Sequence, residues 1–347
     1  MSVEVSDFTN ISKGCQLCQQ GKWLCIFITY ECNAQCHFCP SPFKNDRIHS
    51  AFGNKKDEIL RYLIQNDFEG ISFSGGDPFV VFDRLMEWLL FFKQKLPNYY
   101  YWVYTNGLYV DEQKLKLLSE GGMDEIRFNI AATGYTSNII LDKITIARKY
   151  FKHVAVEIPS IKQDFELLQG VLKKLDDIGI DYLNLHDYIL SETDSKHKNE
   201  SYGIFNLNKI LLLKYSYSSL INTSELISFS EENGYGFNIN HCSMEKKELQ
   251  MTQRRLKFVK IFNEREYDLI SSEGIIFNYY AIPKEMFKKN YNLNLINENK
   301  LEDLISYRMK VNELNLSQSD EFVVLLASYI PIMEIGHKKV FIKVELI

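Results

Sequence analysis

Trp23-Leu-Cys-Ile-Phe-Ile-Thr29 runs directly into Tyr30-Glu-Cys32-Asn-Ala-Gln-Cys36-His-Phe-Cys39-Pro40. A short apolar run rich in β-branched and aromatic residues predicts a buried strand, and the polar stretch after it predicts a loop. That loop carries three cysteines in the spacing Cys-x3-Cys-x2-Cys, with the aromatic Phe38 before the last. Three thiolates can hold three irons of a 4Fe–4S cluster and leave the fourth iron without a protein ligand, open to a small molecule. Zinc sites usually close four ligands and pair their cysteines as Cys-x2-Cys, so the asymmetric triplet argues against zinc there.

Working outward, strand and helix patterns alternate. Strands are expected at 23–29, 70–73, 99–105, 125–130, 153–158 and 182–185. Amphipathic stretches lie between them at 55–65, 84–95, 112–120, 139–150 and 165–178. Six strands with helical patterns between them predict a parallel sheet with right-handed crossovers. The expected fold class is therefore α/β: a partial (β/α)6 TIM-like barrel whose chemistry sits at the carboxyl ends of its strands. The expected division is an N-terminal Cys-x2-Cys metal-binding segment (1–21), the barrel core (22–260) and a small C-terminal α/β appendage (261–347). Within the last part, 264–278 and 321–346 read as strands with a hairpin turn near Gly336, and 301–312 reads as a helix.

The chain of 347 residues is 46% hydrophobic and 24% charged, which suits a soluble globular protein. Its net charge of −5 comes without a basic block, so no strong nucleic-acid footprint is expected. There is no signal-peptide pattern, and the apolar stretch at 322–332 is too short to span a bilayer. The expected location is the cytoplasm, where seven cysteines stay reduced and serve metals.

Two more strand ends carry chemistry. After the second comes Phe73-Ser-Gly-Gly-Asp-Pro78, where two glycines would let the main chain approach a ligand closely. After the third comes Tyr104-Thr-Asn-Gly107, which is also an ordinary turn sequence. With the cysteine triplet, these resemble the radical S-adenosylmethionine (SAM) enzymes, in particular relatives of the pyruvate formate-lyase activating enzyme. In that family the triplet binds the cluster and the Gly-Gly-Glu-Pro turn, here with Asp77, positions the SAM amino group.

The resemblance implies a 4Fe–4S cluster on Cys32, Cys36 and Cys39. It also implies a SAM site drawn from Phe38, Ser74, Gly75, Gly76, Asp77, Pro78, Thr105 and Asn106. Arg127 and Asn129 alternate on the fourth strand and could face the lumen, where SAM, other barrel side chains or water would partner them. Glu157 invites the same argument, since a buried glutamate is rare unless paired. Tyr104 and Asp187 are the candidate catalytic groups, although Asp187 could equally cap the loop that follows.

Gly14-Cys15-Gln-Leu-Cys18 precedes the barrel, and Asn240-His241-Cys242 lies far downstream. Both stretches resemble an incompletely characterised branch of the same family. The resemblance implies that Cys15, Cys18 and Cys242 meet at a second metal site, either zinc completed by His241 or a second iron–sulfur cluster. Three unrelated thiols remain the plain alternative. Cys25 reads as a core residue, Arg254-Arg255 as helix surface, and 191–203 as a solvated loop or a lid.

The implied activity is reductive cleavage of SAM to methionine and a 5′-deoxyadenosyl radical that abstracts hydrogen from a substrate. A flavodoxin or ferredoxin would supply the electron. The substrate would be a peptide or protein, including a glycyl radical partner. The alternatives are a small molecule or nucleoside, or a non-catalytic metal scaffold, against which the intact Gly75–Pro78 turn speaks.

Overall fold

The computed structural model describes residues 10–39, 55–190, 201–207, 211–262, 265–290, 304, 307–310, 322–332 and 338–346. In chain order the barrel elements begin with α1 (Lys13–Gln19), β1 (Trp23–Thr29), α2 (Lys56–Gln65), β2 (Gly70–Gly75), α3 (Phe82–Lys95) and β3 (Tyr100–Thr105). They continue with α4 (Glu112–Glu120), β4 (Glu125–Phe128), α5 (Asn138–Ala147), β5 (His153–Ser160), α6 (Phe165–Ile178) and β6 (Tyr182–Asp187). Then follow β7 (Tyr202–Leu207), β8 (Leu211–Ser216), α7 (Ser218–Glu232), β9 (Asn238–Cys242) and α8 (Met244–Phe262).

The sheet order is β1-β2-β3-β4-β5-β6-β9, with every neighbouring pair parallel. Each crossover is a helix whose apolar stripe is buried: Leu85, Trp88, Leu89 and Phe92 on α3, and Leu168, Val171, Leu172 and Leu175 on α6. Ile26, Ile71, Phe73, Val103, Ile126, Val156 and Leu183, all fully buried, come from successive strands of this sheet and fill its core. Because every strand points the same way, the ends of all seven gather on one rim, which is where loops can converge.

The sheet has one strand more than the six expected. β9 (Asn-Ile-Asn-His-Cys) pairs along β6 from Tyr182↔Asn238 to His186↔Cys242. Between β6 and β9 the chain adds the antiparallel hairpin β7–β8, itself not anticipated; much of the loop expected at 191–203 lies outside the described residues.

The chain divides into two compact units. One takes in Met1–Leu207 and Leu211–Gln250; the other takes in Asn208–Ile210 and Met251–Ile347. The division thus falls inside α8, ahead of the expected boundary at 260, and the N-terminal cysteine segment belongs with the barrel. The second unit is a four-stranded antiparallel sheet of β10 (Leu269–Ile270), β11 (Ile276–Pro283), β12 (Phe322–Ile332) and β13 (Lys338–Leu346), with α9 (Lys284–Asn290) following β11. Val259, Ile276, Tyr280, Ile282, Leu304, Leu325, Ala327 and Tyr329 form its core. Arg255, expected on a helix surface, is buried there, donating to the Glu273 carbonyl at 2.9 Å and to Thr252 Oγ1 at 2.7 Å. Most of the helix expected at 301–312 and the turn near Gly336 lie outside the described residues; Arg308 bridges to Tyr280.

Candidate active site

The cysteine loop leaves β1 at the carboxyl rim and is pinned there by backbone contacts with the next strand. Gly76 N–H donates to the Thr29 carbonyl at 2.8 Å, and Asp77 N–H donates to the Glu31 carbonyl at 2.9 Å. A side chain on either glycine would collide with this chain itself. A Cβ on Gly75, which has φ +123°, would stand 1.9 Å from Thr29 O, and one on Gly76 would stand 2.0 Å from Glu31 O. The sequence suggested that these glycines admit a ligand; here they admit the start of the cysteine loop.

Asp77 is buried and does more than its backbone. Its Oδ1 accepts from Phe79 N–H at 2.9 Å, which caps the short helix opening at Pro78. Its Oδ2 accepts from Thr105 Oγ1 at 3.0 Å and from Asn106 N–H at 2.7 Å, tying the end of β2 to the end of β3. Burial raises its carboxyl pKa, while these three donors pull it back. Asn106 then reaches the cysteine loop: Nδ2 donates to Asn33 Oδ1 at 2.7 Å and lies 3.6 Å from Cys32 Sγ. Ala34 N–H also points at that sulfur, at 3.4 Å.

Cys32 is exposed, and Cys36 and Cys39 are half-buried. Phe38 anchors the loop from below, buried with Ile161 and Tyr188. Three thiols with N–H groups aimed at one of them, on a loop pinned at both flanks, form a donor set suited to an iron–sulfur cluster. Asn33 Nδ2, also buried in this loop, finds no hydrogen-bond partner among the described residues. Ser74 lies on β2 immediately before the glycine pair.

The inner face of the sheet is a separate region, closed by α1. Ser12 caps α1, accepting from Cys15 N–H at 3.2 Å, and also accepts from Arg127 Nη2 at 3.0 Å. Arg127 is fully enclosed: Nε donates to Glu125 at 2.6 Å and Nη1 to Glu157 at 2.7 Å, with Trp102 and Tyr104 rings alongside. A guanidinium expected to meet SAM is thus held by this chain's own carboxylates. Tyr104 shares the enclosure; its hydroxyl accepts from Trp102 Nε1 at 3.0 Å, and burial raises its pKa far enough that it stays protonated. Asn129 does not accompany Arg127: its Oδ1 accepts from Ala132 N–H at 3.2 Å as the cap of the 130–133 turn of helix.

Glu157 also meets His186, with Oε1 2.8 Å from Nε2. Burial would raise the Glu157 carboxyl, but the charges of Arg127 and His186 hold it at about 2. Burial would lower the His186 imidazole, yet the Cys242 thiol, which it hydrogen-bonds, and Glu157 lift it to about 9. Cys242 falls correspondingly to about 7, burial being outweighed by His186. Cys15 Sγ lies 3.5 Å from both Asn184 Oδ1 and Asn240 Nδ2. The Cys18 thiol is raised by burial and further by the negative charge of Cys242 and Cys15 beside it.

The structure therefore brings Cys15, Cys18 and Cys242 into one neighbourhood and leaves His241 outside it. His241 faces away, with Nε2 2.7 Å from Asp187 Oδ1, because it alternates with Asn240 and Cys242 along β9. Asp187 shares that other face; it accepts from Met244 N–H at 2.8 Å at the start of α8. As the side chains stand, no three His, Cys, Asp or Glu donors among the described residues are grouped as a ready metal site.

Glu125, Asn184, His186 and Ser12 are the inner-face residues that sequence reasoning gave no role. The i, i+2 pairs Glu125/Arg127, Asn184/His186 and Asn240/Cys242 are the signal that could have found three of them, since such pairs share a strand face.

Comparison with known proteins bears on this arrangement. Residues 26–197 match the Radical SAM superfamily. The chain is 28% identical over 285 residues to the "Putative glycyl-radical enzyme activating enzyme" of Methanocaldococcus jannaschii, covering 78% of this chain and 73% of that protein. Among solved structures it is similar to Streptococcus suis SuiB bound to precursor peptide SuiA (14% identity, TM-score 0.48), over 63% of this chain and 48% of SuiB. It is also similar to methylornithine synthase (14% identity, TM-score 0.44), over 67% of this chain and 78% of that one. Among the described residues no helix is long and apolar enough to cross a membrane.

Proposed function

Because this chain carries a radical SAM domain and is an enzyme of that class, we propose that Cys32, Cys36 and Cys39 hold a 4Fe–4S cluster. SAM then binds beside it at the ends of β2 and β3, and the substrate is a peptide or protein. Bound there, the cluster and SAM supply one-electron chemistry, namely a 5′-deoxyadenosyl radical that takes a hydrogen atom from the substrate.

The observation that carries this reading is the coupling of three strand ends. Asp77 holds Thr105 and Asn106, and Asn106 in turn holds Asn33 and reaches Cys32. N–H donors at Cys32 offset negative charge on that sulfur and favour a more easily reduced centre. The bare glycines Gly75 and Gly76 let the Ser74–Pro78 turn pack directly on Thr29 and Glu31, which sets the turn's remaining polar backbone beside the cysteine loop. Phe38, Ile161 and Tyr188 keep the loop's base apolar and shield it from water.

Likeness to the Methanocaldococcus protein, named for activating a glycyl radical enzyme, supports a protein substrate. A flavodoxin or ferredoxin is the proposed electron donor, because the exposed Cys32 edge is accessible to one. Location in the cytoplasm follows from the oxygen sensitivity of such a cluster and from seven cysteines kept as thiols. Cys15, Cys18 and Cys242 form a separate second metal site in this proposal, for zinc or for another cluster.

The test is anaerobic reconstitution, counting iron and sulfide, followed by SAM and dithionite with assay of 5′-deoxyadenosine. About four irons at the loop and deoxyadenosine formation are expected. A fully loaded cluster that leaves SAM intact under these conditions overturns the reading.

A further inference from the structure

Three thiols and an imidazole stand together on the inner face with no part in the chemistry at the rim. Cys15 and Cys18 are three apart on α1 and so share one helix face, while Asn240 and Cys242 share one face of β9. Asn240 Nδ2 at 3.5 Å from Cys15 Sγ links these two faces directly. His186 and Cys242 are register partners on β6 and β9, as are Asn184 and Asn240, so both pairs stand side by side on the face that Cys15 meets, with Cys18 three residues further along α1.

We propose that Cys15, Cys18, Cys242 and His186 form a structural Cys3His zinc site that fastens α1 into the barrel. This deepens the second-metal reading above by naming the fourth donor and the metal, and it does not depend on SAM chemistry.

The surroundings of His186 point to a metal. A ligating histidine typically donates its other ring N–H to a carboxylate, which fixes the tautomer and aims the free nitrogen. Glu157 occupies that place at Nε2, itself held by Arg127 and by Asn184 Nδ2 at 3.2 Å. Asn240 Nδ2, 3.5 Å from Cys15 Sγ, is a donor of the kind that orients a thiolate, and Asn184 Oδ1 accepts from the same amide at 3.1 Å. The buried Asn240 Oδ1 has no hydrogen-bond partner among the described residues.

The donor set decides between zinc and a cluster: three thiolates and one imidazole are a usual closed structural zinc set, whereas four-iron clusters are held by cysteine thiolates. α1 packs closely beside the set, a Cβ on Gly14 standing 2.5 Å from Arg127 Nη2 and 3.3 Å from Trp102. His241 cannot serve in its present place, since its imidazole lies across the strand against Asp187.

The experiment uses the full chain carrying Cys32→Ala, Cys36→Ala and Cys39→Ala, so that the rim cannot contribute metal. The protein is expressed with zinc supplied, and zinc and iron are counted after dialysis. About one zinc and no iron per chain is expected in this background. Adding His241→Ala should leave that count unchanged, and adding His186→Phe should remove it. His186→Cys, which keeps four donors, should restore it even if His186→Phe folds poorly. Cobalt(II) in place of zinc should give the intense d–d absorption of a tetrahedral site with thiolate charge transfer. Zinc retained in His186→Phe, zinc lost equally in His241→Ala, no metal at all, or roughly four irons would each overturn the proposal. Deoxyadenosine formation by the parent chain is measured separately, so failure of the rim reading and failure of this one are distinguishable.

Discussion

The rim and the inner face of the same sheet hold similar residue types to opposite ends. At the rim, Cys32 is exposed, and its nearest polar neighbours are N–H groups at 3.4 and 3.6 Å. On the inner face, every charge has a partner: Arg127 lies between Glu125 and Glu157, and Glu157 between Arg127 and His186. Groups left open to a ligand perform chemistry, and groups satisfied by one another hold a shape. The difference teaches that burial and polarity alone do not mark a catalytic residue. What marks the rim is donor capacity that lies open to solvent at Cys32.

The sharpest break between the regions is a rim change that removes activity and spares the fold. Cys36→Ala should abolish iron binding at the loop and reduce deoxyadenosine to background, while the thermal unfolding midpoint moves only a few degrees. The reason is that Cys36 is half-buried on a loop and supports no strand. A Cys36→Ala protein that still cleaves SAM would mean the loop is not the reactive centre.

The opposite change belongs on the inner face. Arg127→Met leaves Glu125, fully buried, and Glu157 without their cation. Breaking a buried ion pair from one side costs roughly 3–5 kcal/mol. Urea unfolding should report a loss of that order, and Arg127→Met with Glu125→Gln should recover part of it. A loss under about 1 kcal/mol would show that water reaches the network and that the contrast with the rim is overstated.

How much of this was legible follows the same division. The βα alternation was readable because Ile26, Phe73, Val103, Ile126 and Val156 form short apolar runs, as strands buried on both sides must. β9 was not readable, because Asn238-Ile-Asn-His-Cys242 holds one apolar aliphatic residue and two asparagines, which strands disfavour. β7–β8 escaped for a related reason: Ile204 and Leu212 are apolar yet exposed, so the pattern gave no buried face to find. At the site, cysteine spacing and the Gly-Gly-Asp-Pro turn are local signals, each readable within a single loop. His186 in place of His241 was not readable in this way, because neighbours in sequence lie on opposite faces of a strand while neighbours across strands share one. For the glycines, sequence shows that a close approach is needed, and the structure adds that the Thr29 and Glu31 carbonyls make one.

Acid should test the inner face without mutation. Glu157 titrates at 4.5 when free and at about 2 in the fold, so the folded state favours its ionised form. The stability it contributes is fully present above about pH 4.5 and is lost as pH falls toward 2. Glu157→Gln should flatten this part of the pH–stability curve. An unchanged curve would mean that Arg127 and His186 do not hold the carboxylate as their distances of 2.7 and 2.8 Å imply.

The smallest effect is the most discriminating, because it falls where the two regions differ in kind. Asn106→Ala removes a hydrogen bond of 2.7 Å to Asn33 and a donor 3.6 Å from Cys32 Sγ, but leaves the Asn106 main-chain bond to Asp77 in place. The buried Asn106 side chain also accepts from Leu108 N–H at 2.9 Å, so two side-chain hydrogen bonds are lost, together worth about 2 kcal/mol. Unfolding should therefore shift by no more than that, less than for Arg127→Met. The Cys32 sulfur, however, loses one of its two N–H neighbours, and fewer hydrogen bonds to a cluster's sulfurs make it harder to reduce. Deoxyadenosine formation with a limiting reductant should fall more than it does with excess dithionite. Equal loss under both conditions would place Asn106 among residues that merely hold the loop. A rate untouched under both would detach the Thr-Asn-Gly end from the chemistry and leave Asp77 as the last link between β2 and β3.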